Sequence, residues 1–283
     1  MSTTRYLITG GSGQLARELS KRLPNSLARS REELSVADLD LLRRELIRSH
    51  VEVVFNCAAY NAVDKAEREP DAAAAVNSRG AANVARACRE AGARLVHFST
   101  NYVFSGTAPH PYTEADDPEP LSVYGRSKRE GEIAVLEELP TALVIRSSGL
   151  FGHGGSATKG GSLPDRLLAR ARAGDRLRVV DDQRLNPTFT GHLADASIAA
   201  AAAGSSGILH LVAQGCCSYH EFAVELFQVA GVEADVDAVA TTRGGTSAAR
   251  PLNGCLISNR ADPLPTWQEG LRAYWQTRSV HVA

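Results

Sequence analysis

The chain is poor in lysine, methionine and tryptophan, and neither sign of charge is in excess. Only four of its 31 basic side chains are lysines (Lys21, Lys65, Lys128 and Lys159), with one methionine and two tryptophans among 283 residues. Against 32 acidic residues the formal charge is -1, so nothing favours a nucleic acid or an anionic membrane surface as partner. No apolar run approaches the roughly 18 residues that cross a bilayer. The opening MSTTRYLITGG has neither the basic start nor the apolar stretch of a leader. The five cysteines (Cys57, Cys88, Cys216, Cys217, Cys255) have no metal-ligand spacing, and adjacent Cys216 and Cys217 are poor partners for each other. Reduced thiols in a cytoplasmic protein are therefore expected. What remains is an ordinary globular composition, 43% hydrophobic and 22% charged, enough for one large core or two modest ones.

Short apolar runs alternate with helical stretches through the first half. Strands are predicted at 6–8, 51–56, 94–99 and 143–145, and the second strand in order is taken to end in the stretch 26–31. Helices are predicted at 14–23, 71–91 and 127–139 between them. Continuous apolar strands separated by helices indicate a parallel sheet covered on both faces, hence a doubly wound α/β fold. After about residue 146 the pattern loosens. Glycine-rich 152–161 and the stretch 239–250 read as irregular, while 163–173 and 192–203 read as helices and 177–180 and 207–212 as strands.

Chemistry concentrates at three places. Gly10-x-x-Gly13 follows the first strand and opens the first helix, where backbone N–H groups and the helix N-terminus can hold a pyrophosphate. Tyr124 and Lys128 stand four apart on a helix and share a face. An ammonium beside a phenol would pull the phenol's pKa towards neutrality, as suits a general acid/base. With seven tyrosines and four lysines, chance gives that spacing only about 0.1 times per chain. Ser99-Thr100 ends a central strand, where a hydroxyl points into the ligand crevice. His97, inside an apolar strand, reads as a core histidine, and Cys216 and Cys217 read as packing residues. Glu18 has no further acids beside it, so no metal is expected.

These residues resemble those of the extended short-chain dehydrogenase/reductases, and more specifically the dTDP-4-dehydrorhamnose reductase family. The resemblance rests on Thr9 to Leu19, Asn56-Cys-Ala-Ala-Tyr60, Val63 to Glu67, Asn77, Ser99-Thr-Asn-Tyr-Val-Phe104, Tyr124 to Glu132, Asp182-Gln183, Pro187-Thr188 and Arg250-Pro251. It implies a Rossmann-type dinucleotide domain over 1–150, with 190–212 returning to it. A smaller substrate-binding lobe would comprise 151–189 and 213–283. By the same resemblance, Gly10, Gly13, Gln14 and Leu15 would hold the pyrophosphate and Asp38 and Leu39 would border the adenine. Cys57, Ala58, Ala59, Tyr60, Asn77, Ser99 and Lys128 would line the nicotinamide side. Tyr124 would be the proton donor, with Thr100 beside it and Lys128 completing the catalytic set. Thr100, Asn101, Tyr102, Tyr124, Gly149, Arg184, Asn186 and Arg250 would meet the substrate.

The end of the second strand has no acid before Glu32. Arg29 and Ser30 there could hold a 2′-phosphate by charge-assisted bonds, which favours NADPH, with NADH as the alternative. The family's aspartate is Asn101 here, its tryptophan is Gly149, and its Gly-Ser is Leu185-Asn186. Glycine at 149 is expected to enlarge the sugar pocket. The expected reaction is reduction of the C4 ketone of a dTDP-linked 4-keto-6-deoxyhexose, with natural-product glycosylation as its setting. The alternatives are the rhamnose-pathway reductase itself and a non-catalytic, NADP-binding regulatory subunit. A homodimer is the expected assembly.

Overall fold

A computed structural model describes residues 5–155, 161–241 and 248–278; parts of both glycine-rich stretches, 156–160 with Lys159 and 242–247, lie outside them. The first half runs β1 (Tyr6–Thr9), α1 (Gln14–Arg22), β2 (Ser26–Arg29), α2 (Leu39–Arg48), β3 (Val53–Asn56), α3 (Val63–Ala66), α4 (Pro70–Ala74), α5 (Ala81–Ala91), β4 (Arg94–Thr100), α6 (Val123–Glu138), β5 (Leu143–Ser147) and β6 (Leu150–Phe151). The second half runs α7 (Leu163–Arg172), β7 (Leu177–Val180), β8 (Arg184–Leu185), β9 (Thr188–Phe189), α8 (Thr190–Ala202), β10 (Gly207–His210), β11 (Ala213–Gln214), β12 (Cys217–Ser218), α9 (Tyr219–Ala230), β13 (Val236–Val239), β14 (Leu264–Thr266) and α10 (Trp267–Arg278).

Six strands form one parallel sheet in the order β10-β5-β4-β3-β1-β2. Alternate residues of each strand feed two separate cores. Leu7, Val54, Leu95 and Val144 meet Leu42 and Leu46 of α2, Val84 of α5 and Val135 of α6. Ile8, Phe55, Val96, Phe98 and Ile145 meet Leu15 and Leu19 of α1 and Leu193 of α8. This doubly covered sheet explains the near-continuous apolar strands. The chain order reverses between β1 and β3, and the crevice at their carboxyl ends is where such sheets bind ligands. A third core, built on Phe151, Phe189, Phe222, Trp267, Leu271 and Tyr274, packs α7, α9 and α10 together.

Two expectations are corrected here. The helix over 71–91 is interrupted: Ala75–Gly80 forms a π-helical turn between α4 and α5, and it carries Asn77. The thiols are not all reduced, because Cys216 and Cys255 form a disulfide with Cα atoms 6.0 Å apart. Cys217 is a buried member of the third core, in keeping with a packing residue. Sequence spacing missed the disulfide because its partners are 39 residues apart and only the fold brings them together.

Candidate active site

Helix α6 starts at the N-cap Ser122, whose side chain accepts from the Gly125 amide. Its first turn lies directly against the 3-10 turn that follows β4. A Cβ at Gly125 would overlap the Tyr102 carbonyl oxygen and stand 3.0 Å from Pro120 Cβ. The missing side chain is what lets Tyr124 reach the end of β4. Tyr102 meets Tyr124 edge to face, with ring centroids 5.5 Å apart.

Tyr124 and Thr100 line the same cavity, and burial pushes the phenol's pKa up to about 12 even though Thr100 acts to lower it. Lys128 is also buried; it donates to the Phe98 carbonyl at 2.6 Å, and desolvation brings its pKa down to about 8. The expected lowering of the Tyr124 pKa by Lys128 is not found: the groups that act on the phenol are Thr100 and Tyr102. The reason is direction, since the ammonium is turned to a backbone carbonyl. Tyr124 is therefore a protonated donor at neutral pH, as reduction of a ketone requires.

Thr100 is held from below. Its Oγ1 donates to Asn101 Oδ1 at 3.3 Å and accepts from the Tyr102 amide at 3.2 Å. Asn101 in turn donates to the Gly254 carbonyl at 3.0 Å. The cavity above, about 320 Å³, is lined by Gln14, Ser99, Thr100, Asn101, Tyr102, Tyr124 and Gly149, with Leu185, Pro187 and Phe222 opposite. Tyr219 borders both it and a second cavity of about 1020 Å³. That larger space carries Arg170, Arg178, Arg250 and Gln183 on walls of Leu163, Leu167, Val179 and Leu252.

The dinucleotide side fits a pyrophosphate. Helix α1 has no side-chain cap and no acid in its first turn, so its N-terminus is open to an anion. Gln14 donates to the Leu150 carbonyl at 3.2 Å, but its buried Oε1 has no hydrogen-bond partner. Leu15 is buried in the sheet core. Its part in the loop is played by the backbone. Asp38 caps α2 by accepting from the Leu41 amide at 2.9 Å, and Leu39 opens that helix. Ala58, Ala59 and Tyr60 continue from β3, with the Cys57 thiol pushed up by burial.

Several predicted contacts have other work. Arg29 is turned to Glu45, with Nε and Nη2 at 3.0 and 2.8 Å from one carboxylate oxygen. Glu45 also pairs with Arg48, and Arg29 is turned to that carboxylate rather than outward. Ser30 exchanges hydrogen bonds with Glu33, its amide donating at 2.8 Å. Asn77 braces the loop after β3: it accepts from the Tyr60 amide and donates to the Tyr60 carbonyl and Ser127 Oγ. Buried and bonded on both its oxygen and its nitrogen, it positions that loop. Asn186 is likewise consumed, by the Ala213, Gly215 and Leu256 carbonyls and the Leu256 amide. Arg184 donates to the Cys216 carbonyl and pairs with Glu221. Arg250 pairs with Asp64 at 2.8 Å and lines the larger cavity.

Gly149 lines the smaller cavity. It sits at φ 57°, where only glycine is comfortable, and a Cβ there would stand 2.6 Å from Leu185 Cδ1. Leu185 lines the same cavity beside it. His97 is a core residue accepting from Asn56 Nδ2, and burial holds it neutral. Glu18 is paired with Lys21 and Arg22. What the sequence reading missed is a buried ion pair behind the site, Glu132 with Arg146, whose Nε and Nη2 donate at 2.8 and 2.7 Å.

The chain matches the family described as RmlD substrate binding domain over residues 4–279. A curated relative from Streptomyces antibioticus, named probable dTDP-4,6-dihydroxy-2-methyloxan-3-one 4-ketoreductase, is 39% identical over 95% of this chain and 93% of its own length. The dTDP-4-dehydrorhamnose reductase of Streptomyces griseus is 38% identical over 94% and 91%. A Bacillus anthracis dTDP-4-dehydrorhamnose reductase, solved in complex with NADP, superposes with a TM-score of 0.92 at 31% identity, covering 97% of this chain and 99% of that one. By sequence, by fold and by the placement of Thr100, Tyr124 and Lys128, the chain belongs to the RmlD substrate-binding family.

Proposed function

We propose that this protein reduces the C4 ketone of a dTDP-linked 4-keto-6-deoxyhexose with NADPH. The observation that carries the proposal is the placement of the Tyr124 phenol and the Thr100 hydroxyl together on the wall of a cavity large enough for a hexose. When bound, the nicotinamide supplies the hydride to the carbonyl carbon. The residues of this chain supply the rest. Thr100 donates to the carbonyl oxygen and places it against Tyr124. The phenol then gives its proton to the oxygen as negative charge develops there. Lys128, a cation at neutral pH, would hold the cofactor's ribose when it is bound. The open N-terminus of α1 and the orphan Gln14 Oε1 are the groups that would hold the cofactor's pyrophosphate and amide-bearing end. The larger cavity beyond Tyr219, with its three arginines, suits the nucleoside diphosphate of the substrate.

The names of the two Streptomyces relatives support a dTDP-sugar ketone as substrate, and the NADP complex of the Bacillus anthracis structure supports the cofactor. The Streptomyces griseus relative favours rhamnose-pathway reduction as the second reading, against natural-product glycosylation. The test is loss of NADPH absorbance with dTDP-4-keto-6-deoxyglucose, run beside its C3,C5-epimerised form. Turnover of the epimerised sugar alone assigns the rhamnose pathway. Tyr124→Phe is expected to lower kcat at least 100-fold while the Kd for NADPH changes less than threefold. Unchanged turnover in that variant would refute the mechanism, and a wild-type protein that binds NADPH but reduces no keto-sugar would favour a regulatory role.

A further inference from the structure

Glu132 is fully buried, one helical turn beyond Lys128 on the same face of α6. Four donors converge on its carboxylate. Ser99 Oγ donates at 2.6 Å, Arg146 donates twice at 2.8 and 2.7 Å, and Arg129 Nη1 donates at 3.0 Å. Arg146 is itself buried, opposite Ser99 on the neighbouring strand, with its guanidinium 5.1 Å above the Phe104 ring. An ion pair so deeply buried stabilises a fold no better than apolar residues of the same volume. Its position accounts for it better than its stability does. Ser99 precedes Thr100, and Phe98, which receives the Lys128 ammonium, precedes Ser99. Two ties therefore join α6 to the end of β4, Lys128 to Phe98 O and Ser99 to Glu132, one turn apart.

Resting on the reductase reading, we propose that Glu132 is a positioning residue for the proton-donating pair. Its carboxylate locks the end of β4 to α6, so that the Thr100 and Tyr124 hydroxyls stay in register. It also keeps a negative charge one turn from the catalytic ammonium. The other groups facing Lys128 are the Cys57 thiol after β3 and His97 on β4, with Arg129 and Arg146 flanking Glu132. Glu132 raises the Lys128 pKa and so opposes the desolvation that lowers it.

The test uses the full chain and three variants. Glu132→Gln keeps the acceptor for Ser99 and removes the charge. Ser99→Ala cuts one tie and leaves every charge in place. The double variant Glu132→Leu/Arg146→Met removes the pair without stranding Arg146. Glu132→Gln is expected to bind NADPH within threefold of wild type and to lose kcat at least tenfold at unchanged KM. The alkaline fall of its kcat should begin about one pH unit lower. Ser99→Ala should lower kcat without moving that fall, and the double variant should melt near wild type yet stay at least tenfold slow. Should Glu132→Gln fail to fold, the double variant carries the test. Wild-type kcat and pH profile in a folded Glu132→Gln, or in the double variant, would overturn the proposal. Should the wild type reduce no keto-sugar, the reductase reading fails separately. The pH profile of NADPH affinity then decides: a shift of about one unit in Glu132→Gln upholds the charge role, and no shift overturns it.

Discussion

Replacing Gly125 by alanine sets two effects against each other. Alanine is the better helix former by about 1 kcal/mol in a helix interior, so propensity alone predicts a stabilised α6. The new Cβ, however, would overlap the Tyr102 carbonyl oxygen and lie 3.0 Å from Pro120 Cβ and 3.2 Å from the Tyr102 carbonyl carbon. Ordinary carbon contacts are about 3.5–4.0 Å, so the helix start must retreat by about 1 Å. The partners are backbone and a proline ring, neither of which can turn aside. Overpacking of this kind costs about 1–3 kcal/mol, leaving a net loss of roughly 1 kcal/mol and a fall in Tm of about 2–4 °C. Activity should suffer far more. Tyr124 precedes Gly125 and would move with it, and a misplacement of about 1 Å costs on the order of 100-fold in rate. Thermal unfolding and steady-state kinetics on the same sample measure both. A Gly125→Ala protein with wild-type kcat, or with a raised Tm, would refute the claim that the glycine exists to bring the phenol to Thr100.

Lys128→Met removes a buried cation whose pKa falls from 10.5 to about 8. Because the folded state disfavours that charge, wild-type stability should rise as pH climbs from about 8 to 10.5, and the variant should lack this rise. The variant should melt no lower than wild type at pH 7 yet lose turnover; a clear drop in Tm would contradict the desolvation argument. Arg29→Ala should leave the NADPH to NADH preference within threefold, since Arg29 is spent on Glu45, and a large swing towards NADH would show that the arginine turns to the cofactor. Cys216→Ser/Cys255→Ser opens a 39-residue loop, worth about 3–4 kcal/mol in chain entropy. Its Tm should fall by roughly 10 °C, measured against the same protein under reducing conditions, where both should coincide.

The parallel sheet and the three chemical residues were legible in the sequence, because strand burial on two faces and a four-residue helical spacing are local, periodic signals. Thr100 at a strand end and Tyr124 with Lys128 on one helix face follow from that alone. What each charged side chain pairs with was not legible, because the partners come from distant segments. Arg29 looked free until α2 brought Glu45 beside it, and Arg250 until α3 brought Asp64. Asn77 and Asn186 were expected as ligand contacts from the family resemblance alone; the packed chain gives their amides to backbone and side-chain partners instead. Periodicity determined the layers of this protein, while its electrostatics and the shape of its pocket were decided by tertiary contacts, since charge and volume act between whatever the fold places side by side.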